Sequence, residues 1–372
     1  NGWPRTYRGM EIPAQGSAAV NYEKPPRGEA QVRYLEQEGC YELSNAHLIC
    51  RVSQQGELIS VKRPGSDHEY LAGIGNRFLM FKDVNTCYDA WELGSMYEQL
   101  PVELDGPVTV AMYQLSGKVE LEINRTLNGS ALSQYIILDA DAKYLTFETE
   151  IHWKEKHKLL KVAFPVNALT NEAIHEIQFG HVKRPNHRSY RTDKDRYEVC
   201  NHRYTALCDG AHGAAVLNDS KYGVNVVDNE IRLTLLKSPM MPDQNADRGE
   251  QCFTYGFYPF DGAFADSDVA RQATELNEPL LAGNVYDDLG PILLPNAKNV
   301  IVDTIKPADT VHNALLVRVY EAMGKQVDCA FTVNPGIKKI VETDMLEEDP
   351  RDVDASCMHF GSFEIKTLLL YF

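Results

Sequence analysis

Apolar and polar residues alternate along much of the chain. In Leu145-Thr-Phe147-Glu-Thr149-Glu-Ile151-His-Trp153 the large side chains fall on odd positions and the polar ones on even positions. One face then meets a core and the other meets solvent, which predicts an antiparallel strand. The same alternation runs through Ile231 to Leu235, Val300 to Thr304 and Phe363 to Leu368, with similar stretches from Val108 to Tyr113 and Val119 to Ile123. Turn pairs punctuate these runs: Asp105-Gly106, Asn128-Gly129, Asp209-Gly210 and Asp261-Gly262. Helical signals are scarce. The clearest spans Asp266 to Leu276, with Ser267 or Asp268 placed to cap it and Pro279 beyond its end. Many short strands and few helices predict an all-β chain of stacked antiparallel sheets, a large β-sandwich followed by a small one.

The boundaries are softer. Residues 1–30, with Pro13 and Pro25-Pro26, read as a linker and entering strand; 31–282 form the large sandwich; and 283–372 form a small C-terminal β subdomain that opens on a loop-rich stretch. No internal repeat is present.

Composition narrows the function. The 372 residues suffice for a large core, and 44% hydrophobic with 24% charged residues is ordinary folded protein. The net charge of −16 repels phosphate backbones, which argues against nucleic acid but puts no penalty on a neutral sugar. No apolar run reaches the roughly 18 residues of a membrane span. The eight cysteines contain no Cys-x-x-Cys pair and read as reduced, mostly buried thiols of a cytoplasmic protein. The first residues carry no apolar signal region. Asn124-Arg-Thr126 and Asn128-Gly-Ser130 fit glycosylation sequons and are read as turn residues.

Phosphate loops, nucleophile elbows and His-Glu-x-x-His are absent, and no histidine is followed two residues later by Asp or Glu. Three clusters remain. Tyr88-Asp89-Ala-Trp91-Glu92 suits a sugar, whose apolar face stacks on rings while carboxylates accept hydroxyl hydrogen bonds. The competing reading is a buried Trp and a turn Asp. On a strand Asp89 and Glu92 would face opposite ways, so the two acids do not act as a pair. His181 to Arg188, with Asp193, Asp195 and His202, holds metal-ligating residue types without a recognisable ligand spacing, and reads as a charged loop over a sheet edge. Pro242 to Glu250 is a polar loop in which Arg248 offers a forked donor to a ligand; a solvated turn is the alternative. His152 and His157 read as exposed strand residues.

An ordered set of stretches resembles the C-terminal β region of glycoside hydrolase family 38 α-mannosidases. It includes Tyr88-Asp-Ala-Trp-Glu92, His152 to Pro165, Glu176 to Gly180, Arg184-Pro-Asn-His-Arg188 and Tyr197 to His202. It continues with Leu217 to Gly223, Ile231 to Pro239, Asp247-Arg-Gly249, Glu275 to Leu280, Val317 to Glu321 and Phe363 to Leu368. The resemblance implies a supersandwich of the galactose-mutarotase-like type. It also implies a retaining, zinc-dependent α-mannosidase acting on terminal α-mannosyl linkages, with its nucleophile and zinc ligands in a preceding N-terminal domain. The chain is then expected to be a C-terminal piece of a longer enzyme, inactive alone, holding no catalytic residue, metal ligand or cofactor of its own. Its expected partners are that catalytic domain and a mannose-containing oligosaccharide. Exposed apolar surface on a detached domain would favour self-association.

The chain departs from the family pattern at Asn186, Ser189 to Thr192, Tyr204, Cys208, Asp209 and His212, which bears on linkage preference and subgroup. Tyr88, Asp89, Trp91 and Arg248 are the candidate substrate-binding residues. The alternatives are a stand-alone carbohydrate-binding or scaffolding module, and a self-sufficient hydrolase or epimerase using Asp89 with His181 or His187.

Overall fold

The computed structural model describes residues 5–7, 10–12, 15, 17, 28–84, 88–281 and 290–372. The expected break at 282/283, most of the 1–30 linker and Cys87 lie outside these residues. The chain is all-β and divides into two compact units. The larger holds 27–176 and 183–263; the smaller takes 177–182 and 264–372 with the N-terminal residues up to 26.

Two sheets face each other in the larger unit. In one, seven neighbouring strands run Tyr204–Cys208, His212–Asn218, Gly249–Asp261, Leu145–Trp153, Ser130–Asp139, Lys118–Leu127 and Val108–Leu115. The other is six-stranded: Val199–Cys200, Gly223–Val227, Glu230–Lys237, Lys158–Pro165, Arg77–Lys82 and Pro101–Val102. A four-stranded meander, Gln31–Leu35 to Leu58–Lys62, adds Leu43 and Val52 to the same core. Phe147 and Tyr255 are cross-strand partners with stacked rings 5.1 Å apart, and Phe164 of the opposing sheet meets both edge-on. Such interdigitation of inward-facing rows is how a sandwich excludes water.

A closed polar ring sits inside this apolar layer. Asn76 donates to the Gln134 side-chain oxygen at 2.7 Å; Gln134 donates to the Thr149 and Tyr255 hydroxyls at 2.9 and 2.8 Å; and the Tyr255 hydroxyl returns to Asn76 at 2.7 Å. All four residues are buried, and each polar atom bonded within the ring escapes the penalty of an unpaired buried group. At the predicted hairpin, Leu127 pairs with Ser130, so Asn128-Gly129 is the two-residue turn, and Asn128 adopts φ 53°.

The smaller unit has a five-stranded sheet in the order Val300–Pro307, Ala314–Glu321, Ile365–Tyr371, Lys339–Thr343 and Arg351–Asp352. Its core gathers Val302, Val319, Phe331, Phe360 and Leu368. The buried Glu347 carboxylate accepts the N–H groups of Asp309 and Thr310 and an ammonium hydrogen from Lys306, pinning a loop. The α-helix is Val269–Asn277, shorter at its start than the expected Asp266, because 264–266 form a 3-10 turn and the Ser267 hydroxyl accepts the Val269 N–H.

Several expectations need correction. Among the seven described cysteines, Cys40, Cys50 and Cys329 are buried, Cys208 is half-buried, and Cys200, Cys252 and Cys357 are exposed, because strand register or a loop position puts them towards solvent. Asn124 lies within Lys118–Leu127, not in a turn. His157 lies beyond the end of its strand with φ 47°. His181 belongs to the strand Gly180–Pro185 instead of a loop. Residues 88–91 form a turn closed by the Trp91 N–H to the Tyr88 carbonyl, so the strand geometry assumed for Asp89 and Glu92 does not apply.

Candidate functional site

Cross-strand register on the six-stranded sheet explains where the candidate residues meet. Lys158–Pro165 buries both faces: Leu160, Val162 and Phe164 enter the sandwich core, while Leu159, Lys161 and Ala163 face outward. Phe81 and Lys237 flank Leu159, and Leu79 and Thr234 flank Lys161, on the same outer face. Segments 88–100 and 187–198 cover this face. Tyr97 packs edge-on against Phe81 at 5.2 Å and joins Leu159, with Leu79, Leu93 and Tyr197 around them.

Buried charges tie the covering segments down. Lys161, fully enclosed, bonds both Glu198 oxygens at 2.9 and 2.7 Å and lies over the Tyr97 ring at 5.6 Å. Burial pushes the Lys161 ammonium down from its ordinary value, and the Glu198 carboxylate resists that shift. Beside it, Glu98 bonds Arg188 at 2.5 Å, Arg232 at 3.1 Å and the Asn225 amide at 2.9 Å. His187 lies 3.4 Å from Asp193, whose carboxylate accepts the Tyr190 N–H.

The turn bearing the aromatic pair has its own anchor. Asp89 is only 4% exposed, and its two carboxylate oxygens accept the N–H groups of Met240 and Met241, each at 2.8 Å. The His157 ring nitrogen stands 3.1 Å away. Burial opposes the charge on Asp89, but the two backbone donors, then His157 and Lys237, outweigh it and hold the carboxyl below the usual carboxylate range. Lys237 donates to the carbonyls of Asp89 and Glu92 and lies 3.3 Å from the buried Asp83 carboxylate. Burial raises Asp83, with Lys237 pulling the other way.

Tyr88 and Trp91 stand outward on this turn, 58% and 71% exposed, with ring centroids 5.6 Å apart. The loop after Glu230–Lys237 is held through Asp247, whose carboxylate accepts the Lys237 N–H at 3.2 Å, and it leaves Arg248 exposed with Asn245 at 3.4 Å.

The first and third sequence clusters therefore meet on one face, joined by Arg188 of the second through Glu98, whereas Arg184 lies on the strand Gly180–Pro185, the His202 ring packs against Tyr222, and the His181 ring lies between Phe264 and Phe363 in the smaller unit. Of the four candidate residues, Tyr88, Trp91 and Arg248 are exposed, whereas the Asp89 carboxylate turns inward. Lys237, Asp83 and the Lys161–Glu198 pair were missed. One signal was available: Lys161 is a lone charge within the apolar run Leu159 to Phe164. Exposed rings beside polar donors can stack and hydrogen-bond a sugar. Among the described residues no three His, Cys, Asp or Glu side chains converge to hold a metal ion. No helix among them is long and apolar enough to cross a membrane.

Comparison with known proteins accounts for most of the chain. The glycosyl hydrolases family 38 C-terminal domain matches residues 43–245, and the family 38 C-terminal beta sandwich domain matches 299–368. Alpha-mannosidase 2C1 of Mus musculus is 34% identical over 90% of this chain and 34% of its own length. The Homo sapiens protein of that name is 34% identical over 97% of this chain and 37% of its own. The chain thus spans about a third of these relatives. A family 38 protein from Enterococcus faecalis shares the fold at TM-score 0.72 and 15% identity, over 89% of this chain and 44% of that one. By the extent of the first match, the chain belongs to glycosyl hydrolase family 38, whose C-terminal β domains it carries.

Proposed function

We propose that the chain is the C-terminal β part of a retaining, zinc-dependent α-mannosidase that removes terminal α-mannosyl residues. In this reading a separate catalytic domain of the same protein supplies nucleophile and metal. The outer face of the six-stranded sheet supports the sugar site and partly lines it. The observation carrying this reading is the exposed Tyr88–Trp91 pair on a turn anchored by a buried carboxylate, within the matched family segment. Tyr88 and Trp91 offer apolar rings to a mannoside and Arg248 offers a forked donor. Asp89 serves by holding the turn. The seven described cysteines form no disulfide and three are exposed, which supports a cytoplasmic location.

In the full-length enzyme, Trp91→Ala and Arg248→Ala are each expected to raise KM for an aryl α-mannoside about tenfold with kcat little changed, the pattern of lost substrate binding. Wild-type kinetics in both variants would remove this face from the sugar site. Asp89, with its oxygens committed to Met240 and Met241, favours a supporting role for the isolated chain over a self-sufficient hydrolase. Measurable turnover by these 372 residues, abolished by Asp89→Asn, would reverse that preference.

A further inference from the structure

We propose that Lys237 is a positioning residue, setting the Tyr88–Trp91 turn and the Asp247–Arg248 loop in one register over the sheet. The inference rests on the reading that this surface meets sugar. Lys237 ends the strand Glu230–Lys237, and Leu159 and Phe81 hold its rung in a buried row. An ammonium group has three hydrogens to donate. Here it faces three acceptors: the Asp83 carboxylate and the carbonyls of Asp89 and Glu92. Those acceptors precede, sit within and follow the turn, so one cation holds the turn from both sides.

The same residue reaches the second loop through its backbone, since its N–H bonds the Asp247 carboxylate. Side chain and main chain of one residue thus fix the aromatic pair and Arg248 to the same rigid strand end. The turn needs such a clamp. Tyr88 adopts φ 53°, a left-handed conformation that a bulky L residue keeps only when its surroundings hold it. The environment is also built for this cation: the Lys237 side chain is 18% exposed and that of Asp83 is fully buried.

The test uses Lys237→Met, which keeps the aliphatic stem, together with Lys237→Met/Asp83→Asn, which also neutralises the buried carboxylate that Lys237 faces. Chymotryptic cleavage of the native double variant after Tyr88 and Trp91 is expected to accelerate at least tenfold. Cleavage after Tyr190, an exposed tyrosine outside these contacts, should keep its rate. In the full-length enzyme the double variant should reproduce the Trp91→Ala pattern, raised KM with nearly unchanged kcat. Unchanged cleavage at the turn overturns the proposal. So does a Trp91→Ala defect that the double variant does not share. If Trp91→Ala and Arg248→Ala both show wild-type kinetics, the sugar reading of the surface fails instead, and the cleavage ratio alone decides whether Lys237 holds the turn.

Discussion

Tyr255 shows how much a single buried hydroxyl carries. It accepts from Gln134 and donates to Asn76 within a ring that no water reaches. Removing the hydroxyl while keeping the ring leaves the buried Asn76 oxygen without its Tyr255 donor and one Gln134 N–H without its acceptor. Tyr255→Phe should therefore cost about 1–3 kcal/mol, read from the urea midpoint at unchanged m value. A variant as stable as the parent would mean that the ring contributes shape alone. Lys161 and Asp89 follow the same rule with charge: each is enclosed, and each is tolerated because its partners stand at hydrogen-bond distance. Composition shows none of this, because a lysine or aspartate reads as surface until its partners from distant segments are known. Asp89 meets Met240 some 150 residues away.

At the scale of elements, periodicity was informative. Leu145–Trp153, Glu230–Lys237 and Val300–Pro307 contain the runs that alternation singles out, because a half-buried antiparallel strand imposes its two-residue period on its own sequence. The Asn128-Gly129 turn was equally legible, since few residues accept φ near 53° there. Asn128→Val should destabilise by roughly 1–2 kcal/mol through that backbone conformation, whereas Asn128→Gly should be close to neutral. Equal midpoints for Val and Gly in chemical denaturation would contradict the assigned turn. Where periodicity misled, the segment was short or irregular. Tyr88 to Glu92 had no alternation to read, and its conformation follows from anchors supplied by Lys237 and by the Met240 and Met241 amides.

Across the whole molecule, each unit carries a group whose folded state disfavours its proton. In the larger unit, burial, then Arg184, pushes His175 down to about 3. The unfolded chain binds that proton near pH 6.5, so this stabilisation is complete above 6.5 and declines as pH falls towards 3. In the smaller unit, burial opposes the Glu347 charge, but Thr310, Lys306 and Asp309 pull it down to about 2; its contribution is complete above 4.5 and declines towards 2. Both units should therefore lose stability on acidification. His175→Gln should flatten the dependence between pH 3 and 6.5, and Glu347→Gln that between 2 and 4.5, followed by urea unfolding at stepped pH. Unaltered slopes would assign the acid response to other groups.

The amino-acid order alone established an all-β chain, its main strands and hairpin turns, and membership of family 38, because these depend on local alternation, turn chemistry and motif order. It also supplied the residues of three separate clusters. Only the tertiary structure decided that the first and third clusters meet on the outer face of one sheet, that Asp89 points inward while Trp91 points outward, and that Lys237 joins them. The reason is range: a strand writes its period into neighbouring residues, whereas a clamp between positions 83, 89, 92 and 237 exists only after register and loop packing bring distant backbone together.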